Sequence, residues 1–477
     1  MFAIIIVSET AYSKALYDRQ ERFIQMAYAV RKTYISKARH PEMYGYLDSY
    51  SRKSKLLQNA ALFRLRNWFT AHGKQSLTVN ELSVVGEIDA AVSAGMGRPK
   101  AVLSYFALDR VMRVNHNPDF FAGLPMQSAQ ECLKQKCREF RSWLNALKEY
   151  KADPSKLPGR PKMPGYIKSD TAIVRFTNQD CVLYGDTMKF PHTKETISFG
   201  RLPEGCILKE VQSVPCHGQY LLIAVLETPD TDAVSDMPYK AAIDFGVDNF
   251  ASIAPDTDIP CLICKGGAMK AENQWFNKRM AELKAVLMKG HDPWAYHPAS
   301  TKQMEALSLK REQFFHDYFH KLSKYIVRWC LENRIGTLVY GHTKLWKQKT
   351  SIGKQNTQNF VQLPFMAFVS MLRYQCGREG IRLLEQEESY TSKASAVDGD
   401  LIPVYGQEHE KPYHFSGTRV KHGLYRTGDG RTVNADLNGA ANILRKAFPD
   451  AYECTDVYAI LRNIQTIRFG TLYKVSG

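Results

Sequence analysis

The chain has 477 residues, of which 44% are hydrophobic and 23% charged. This composition is typical of a globular protein with two to four domains. Lys and Arg number 64 against 48 Asp and Glu, a net charge of +16. Such a surplus favours a polyanionic partner, nucleic acid before a membrane, although a solvated basic surface would carry the same charge. The sequence has no run of about 18 apolar residues, so no transmembrane helix is predicted.

The N-terminal half begins with a predicted strand at residues 1–7, which lacks the basic flank and cleavage site of a signal peptide. A basic, helix-rich segment follows to about residue 150. Residues 154–166, PSKLPGRPKMPGY, contain four prolines and two glycines and predict a linker or an extended crossing segment. Short strand-like runs at 172–228 then predict a small β-barrel or sandwich.

The C-terminal half follows an acidic boundary at residues 228–238. Two strand-like runs joined by a tight turn come first, and helical patterns alternate with strands after them. The order predicts a mixed α/β layer fold. In chain order, its predicted elements are a hairpin in YKAAIDFGVDNFASIAP, helices over 268–335, a strand at 335–341, a helix at 362–379, a strand at 381–389, a loop-rich stretch at 391–434 and a helix from ADLNGAANIL.

Two aspartates lie in unusual local settings. Asp244 falls inside the apolar strand AAIDFG, where an ionised carboxylate is costly unless a metal ion or a buried salt bridge neutralises it. Asp436 opens the last predicted helix, as a helix N-cap or as a metal ligand. Asn438 and Asn442 follow on the same element, placed to orient Asp436 or to bind phosphate.

Glu387 and Glu388 end the strand IRLLEQEES. Paired acids at a strand end are usually solvated, and because side chains alternate along a strand, only one of the two should face a given site. Three acids that converge from separate elements can hold two divalent ions about 4 Å apart, which suits phosphodiester hydrolysis.

Several segments resemble one known family. IDFGVDNFASIA resembles the first RuvC motif of TnpB proteins, the transposon-encoded nucleases related to type V CRISPR effectors, and NADLNGAANIL resembles their third motif. FHKLSKYIV, ESYTSKAS and GRPKMPGY also resemble family segments. The resemblance covers roughly residues 125–446, and several motifs in the right order make it more specific than any one of them.

The resemblance implies an α/β multidomain protein with a C-terminal RNase H-like RuvC nuclease domain and an N-terminal β-barrel wedge domain that carries a helical recognition insertion. The implied boundaries are wedge 1–12, helical recognition domain 13–160, wedge β-barrel 161–236, RuvC 237–390, a degenerate zinc-ribbon-like, target nucleic-acid-binding insertion 391–430 and RuvC 431–477.

The resemblance also implies an RNA-guided double-stranded DNA endonuclease with a single RuvC site that uses two Mg²⁺ ions. The expected metal ligands are Asp244, Asp436 and Glu388, with Glu387 as the alternative to Glu388. The expected partners are a guide RNA, either an omega RNA or a CRISPR RNA, and target DNA. A monomer on one guide RNA in the bacterial cytosol or nucleoid is expected, with no membrane. The alternatives are a nuclease-inactive RNA-guided repressor and an unguided RNase H-fold transposase or resolvase.

Two departures from the family pattern matter. Where the second RuvC motif usually ends in Glu, this chain has Gly341 and His342. Some relatives supply this acid from the next strand, a position that Glu388 matches best; if neither Glu387 nor Glu388 faces the metals, the chain would bind DNA without cutting it.

The second departure concerns zinc. Zinc ribbons need thiolate or imidazole ligands, and the sequence therefore predicts no structural zinc where the family's two CxxC pairs are replaced by Ser395, Asp398, Arg426 and Asp429. The lone CxxC of Cys261 and Cys264 is predicted to be two buried thiols.

Nucleic-acid contacts require basic side chains with aromatics among them. The loop at 342–356 fits this description, and an exposed basic loop with Trp346 tucked beneath it is the alternative. Its candidate contacts are Lys344, Trp346, Lys347 and Lys349. Residues 415–426, FSGTRVKHGLYR, are a second basic candidate.

Overall fold

The computed structural model describes residues 28–228, 236–291, 300–342, 363–404, 413–421 and 423–474. The chain divides into two compact units, Met1–Asp230 and Thr231–Gly477. The predicted strand at 1–7, and with it the wedge segment 1–12, lies outside the described residues. No helix in the described part of the chain is both long and apolar enough to cross a membrane.

Four helices lie in residues 28–228 of the first unit, and the second of them begins with a complete capping box. Thr78 accepts a hydrogen bond from the Glu81 backbone, while the Glu81 carboxylate accepts one from the Thr78 backbone, an arrangement that satisfies two otherwise unpaired donors. The helices are α1 Pro41–Ala71, α2 Val79–Ser93, α3 Tyr105–Val114 and α4 Met126–Ala152, followed by a 3₁₀ turn at Pro154–Lys156.

The strands of the first unit form two antiparallel sheets, with orders β1-β7-β6-β2 and β3-β4-β5. β1, Tyr28–Ile35, corrects the expectation of a helix-rich segment here, since it pairs along its length with β7. Its Val, Thr, Tyr and Ile residues favour a strand, and β7 supplies the partner. The other strands are β2 Val174–Thr177, β3 Val182–Tyr184, β4 Thr187–Lys189, β5 Thr196–Ser198, β6 Ile207–Cys216 and β7 Gln219–Glu227.

A six-stranded mixed sheet forms the centre of the second unit, in the order β12-β11-β8-β9-β10-β16. β8, β9 and β10 are antiparallel neighbours, whereas β11 runs parallel to β8 and β12 runs parallel to β11. The carboxyl ends of β8, β11 and β12 therefore meet at one edge. The strands are β8 Tyr239–Phe245, β9 Asn249–Pro255, β10 Cys261–Lys265, β11 Ile335–His342, β12 Arg382–Glu387 and β16 Ile464–Ile467.

Helices cover both faces of this sheet, which confirms the predicted mixed α/β layers. Ile243 and Phe245 of β8 pack in the cluster formed with α6 and α7, whereas Ala242 packs with Ile443 of α8 on the other face. Alternation along the strand therefore directs Asp244 towards α8. The helices in the described residues of this unit are α5 Gly267–Leu287, α6 Lys302–Glu332, α7 Phe365–Arg378, α8 Ala435–Ala447, α9 Val457–Arg462 and α10 Phe469–Lys474.

The stretch predicted to be loop-rich, residues 391–434, contains a small antiparallel sheet. It consists of β13 Thr418–Lys421, β14 Leu424–Arg426 and β15 Thr432–Asn434, in that spatial order. Three- and four-residue strands give little periodicity in a sequence, so this sheet was not predicted.

Candidate active site

Asp244 lies near the carboxyl end of β8, where α8 crosses the sheet at close range. A Cβ atom at Gly439 of α8 would lie 2.6 Å from Asp244 Oδ2, closer than real Cβ contacts. Glycine at this position lets the helix backbone approach the carboxylate, which a larger residue would displace.

Asp436 lies in the first turn of α8, two residues after the helix N-cap, Asn434. The Asn434 side chain accepts hydrogen bonds from the backbone N–H groups of Asp436 and Leu437 at 3.0 and 3.1 Å. The N-cap interpretation of Asp436 is therefore wrong, because Asn434 already satisfies those donors. The Asp436 carboxylate instead accepts from Asn249 Nδ2 at 2.7 Å and from Arg419 Nη2 at 3.2 Å.

Glu388 follows β12 directly and occupies space that Gly341 leaves open. A Cβ atom at Gly341 would lie 2.5 Å from Glu388 Oε2 and 2.6 Å from Ile443 Cδ1. In the sheet, Gly341 pairs with Gln386, which brings the end of β12 alongside it. A side chain at position 341 and the Glu388 carboxylate would thus occupy the same volume.

Glu387 is engaged elsewhere. Its carboxylate accepts from Lys446 Nζ at 2.5 Å and from the Ser389 backbone at 2.7 Å. Burial opposes its ionisation, but these hydrogen bonds outweigh burial and hold the pKa of Glu387 below its usual value. The geometry therefore favours Glu388 over Glu387 as the third acid of the site.

The three acids Asp244, Glu388 and Asp436 interact electrostatically. Burial raises the pKa of Asp244 well above its usual value, the negative charges of Glu388 and then Asp436 raise it further, and Arg419 opposes them. Like charges converging in a partly buried site favour a cation, and hard carboxylate oxygens are the ligands that Mg²⁺ prefers. The donor set fits divalent metal ions.

Asn438 and Asn442 hold the chain that follows Glu388 rather than a phosphate. Both are fully buried. Asn438 donates to Ala394 O at 2.8 Å and accepts from Ala396 N at 2.9 Å, while Asn442 donates to the carbonyls of Thr391 and Ala394 at 2.9 and 2.7 Å. These bonds fix the 391–396 segment to the helix that carries Asp436.

At the positions that the sequence resemblance assigns to zinc ligands, hydrogen bonds join the two turns. Ser395 Oγ donates to Asp398 Oδ2 at 2.5 Å, and the same oxygen accepts from Gly428 N at 2.8 Å. In the second turn, Asp429 accepts from Thr427 Oγ1 at 2.5 Å, while Arg426 is an exposed residue of β14. Neither turn offers a thiolate or an imidazole at these positions, so the residues do not fit a zinc ribbon.

Two further sequence predictions have clear outcomes. Cys261 and Cys264 are buried in β10 and belong to clusters on opposite faces of the sheet, so they do not converge on one ion. The proposed contacts Lys344, Trp346, Lys347 and Lys349 lie outside the described residues. Arg419 was not singled out from the sequence, although it lies within the basic segment 415–426.

If Gly341 makes room for Glu388, adding a methyl group there should be destabilising. We expect Gly341→Ala to lower the free energy of unfolding by about 1–3 kcal/mol, as overpacking does, and the second substitution Glu388→Ala to recover part of the loss. Urea denaturation of the single and double variants measures this coupling. Gly377→Ala is the control, because a Cβ at this helical position meets no described atom within 4 Å. Additive single effects would contradict the shared space.

The raised pKa of Asp244 predicts how the stability of the metal-free protein depends on pH. Because the folded protein keeps a proton that the unfolded chain loses near pH 4, the free energy of unfolding should fall as pH rises from about 4 through the raised pKa. Asp244→Asn should reduce that fall and raise the melting temperature at neutral pH. Thermal melts in EDTA across pH 4–8 test this, with the exposed Asp248→Asn as control. Identical pH profiles for wild type and Asp244→Asn would contradict it.

Comparisons with known proteins match consecutive parts of the chain. Residues 224–347 match the OrfB_IS605 family, described as a probable transposase, and residues 365–443 match the Cas12f1-like TNB domain. The TnpB-like protein ORF457 of Acidianus two-tailed virus is 23% identical over 211 residues, which are 43% of this chain and 41% of that protein. The chain thus matches less than half of that relative's length.

Two solved structures that resemble the chain have lower sequence identities than that relative. A Cas12f1–sgRNA–target DNA complex gives a TM-score of 0.41 at 15% identity, covering 85% of this chain and 84% of the other. CasPhi-2 (Cas12j) bound to crRNA and phosphorothioate-DNA gives 0.33 at 9% identity, covering 94% and 96%. The chain is thus similar to the OrfB_IS605 family over residues 224–347 and to the Cas12f1-like TNB domain over residues 365–443.

Proposed function

We propose that this protein is an RNA-guided double-stranded DNA endonuclease with one RuvC-type site, in which Asp244, Glu388 and Asp436 hold two Mg²⁺ ions. The observation that carries the proposal is the meeting of these three carboxylates, in which burial and then the charges of Glu388 and Asp436 raise the pKa of Asp244. Like charges brought together from separate elements destabilise the fold, and a bound cation would offset that repulsion.

The sheet supports an RNase H-like assignment of the second unit. Numbering its first five strands along the chain gives the spatial order 5-4-1-2-3, with strands 1 to 3 antiparallel and strands 4 and 5 parallel to strand 1. Asp244 lies on the central strand, and the other two acids reach it from the end of strand 5 and from α8. The carboxylates thus gather at the edge of the sheet where β8 and β12 end.

The chain's own residues would orient the site for hydrolysis. When bound, two divalent ions activate a water molecule and stabilise the departing oxygen. Asn249 holds one oxygen of Asp436, and Lys265 Nζ in turn donates to Asn249 Oδ1 at 2.8 Å, so the amide presents its N–H to the carboxylate. Arg419, beside Asp436, would attract the negatively charged phosphate into the site.

Charge and the sequence matches support nucleic acid as the partner. The net charge of +16 suits a guide RNA and a target duplex held through their phosphates. The TNB match spans the 415–426 segment that carries Arg419, so one basic element would serve both strand binding and the reactive phosphate.

A second candidate function is DNA strand transfer or cleavage without a guide, which the probable-transposase description of residues 224–347 favours. The same three acids would serve it. The acids argue against a nuclease-inactive repressor. A protein that does not cut DNA would bear the repulsion between these carboxylates without using them to bind metal ions.

The test is to express the chain with its flanking genomic DNA, sequence the co-purified RNA and assay plasmid cleavage in Mg²⁺. Asp244→Ala and Glu388→Ala should each reduce cleavage by about 10³-fold or more, because each removes a metal ligand worth several kcal/mol in the transition state. RNA binding should persist. The matched control is Glu387→Ala, which removes the neighbouring acid and should retain cleavage within about tenfold.

Cleavage by Glu388→Ala at the wild-type rate would move the third ligand elsewhere. Cleavage of DNA by RNA-free protein would favour the unguided transposase, and a defined bound RNA without cleavage would favour the repressor.

A further inference from the structure

Ser252 lies directly beside Asp244 in the sheet. It is in the middle of β9, and the antiparallel register pairs it with Asp244 of β8. Directly opposed residues of antiparallel strands project to the same face, with Cβ atoms about 4.5–5.5 Å apart. Ser252 therefore faces α8, as Asp244 does, and rotation about one side-chain bond brings its hydroxyl towards the carboxylate.

The hydroxyl of Ser252 is buried without a hydrogen-bond partner among the described residues. Its relative exposure is 0%, and Oγ makes no hydrogen bond there. A buried polar group left unpaired destabilises a folded protein, and alanine in its place would not carry this cost. Ala254, two residues further along β9, is such a residue on the same face, in the cluster formed with α8.

The same strand already supports a second acid of the site. Asn249, at the start of β9, donates a hydrogen bond to Asp436. β9 thus presents one polar side chain next to each of the two aspartates, and among the described residues the side chain next to Asp436 has a hydrogen-bond partner whereas Ser252 has none. Carboxylates that bind metals are held in place by such outer hydrogen bonds.

We propose that Ser252 is a positioning residue for the metal site, whose hydroxyl donates a hydrogen bond to the Asp244 carboxylate once a divalent cation binds. This inference rests on the proposed function, since it takes Asp244 as a metal ligand. This hydrogen bond would leave the other carboxylate oxygen of Asp244 directed at the cation, and it would give the buried Ser252 hydroxyl a partner.

The experiment compares Ser252→Ala with wild type in the full-length protein bound to its RNA. Isothermal titration with Mn²⁺ should show a 10- to 100-fold weaker affinity, the range typical of losing an outer hydrogen bond to a ligand. The Mg²⁺ concentration that gives half-maximal cleavage should rise by a similar factor. Ser252→Thr, which keeps the hydroxyl, should recover most of both.

If Ser252 had only a structural role, Ser252→Ala would lower the melting temperature. The positioning role predicts otherwise. In EDTA, Ser252→Ala should melt at the wild-type temperature or above it, because it removes an unpaired buried hydroxyl. Ser213→Ala is the matched control: Ser213 is a fully buried strand serine in the first unit, and its hydroxyl also lacks a partner among the described residues. It should leave Mn²⁺ affinity unchanged.

Unchanged Mn²⁺ affinity in Ser252→Ala, or an equal loss in Ser213→Ala, overturns the role of Ser252. Asp244→Ala separates this failure from that of the site: if it abolishes Mn²⁺ binding while Ser252→Ala does not, only the Ser252 inference fails. If Asp244→Ala also leaves Mn²⁺ affinity unchanged, the metal site is refuted together with it.

Discussion

The close approach of α8 to the carboxyl ends of β8 and β11 is the constraint on which the candidate site depends. It forces three negative side chains together in a partly buried volume, where water screens them poorly. Two glycines permit the approach: Gly439 lets the helix backbone reach Asp244, and Gly341 leaves room for Glu388. A larger side chain at either position would separate the acids and weaken the repulsion between them.

Several hydrogen bonds keep that arrangement in place. Asn438 and Asn442 attach the segment after Glu388 to α8, and the Glu387–Lys446 ion pair attaches the end of β12 to the same helix. The end of β12 and the segment after Glu388 are thus tied to α8, the helix that carries Asp436, independently of any metal. Preorganisation of this kind limits the reorganisation that cation binding requires.

Hydrogen bonds also hold the segment that carries Arg419. At the positions that the resemblance assigns to zinc ligands, the Asp398 carboxylate bridges Ser395 of one turn and Gly428 of the other. The short sheet that follows then carries Arg419 to Asp436. Hydrogen bonds from a single carboxylate are weaker than zinc–thiolate bonds, so the position of Arg419 depends also on the packing of Tyr425, which is fully buried against α8.

The sequence by itself determined the elements with strong local patterns and the kinds of residue that carry the chemistry. The β8–β9 hairpin, α6, α7 and α8 follow from periodicity and turn residues, and Asp244 and Asp436 were conspicuous because an acid in an apolar strand, or at a helix start, needs a reason. Non-local contacts decided the rest. Tyr28–Ile35 became a strand because β7 pairs with it, and β13–β15 are too short to leave a pattern. Only the folded chain distinguishes Glu388 from Glu387, gives the N-cap to Asn434 and brings Arg419 and Ser252 to the acids, because each of these depends on a partner far away in the sequence.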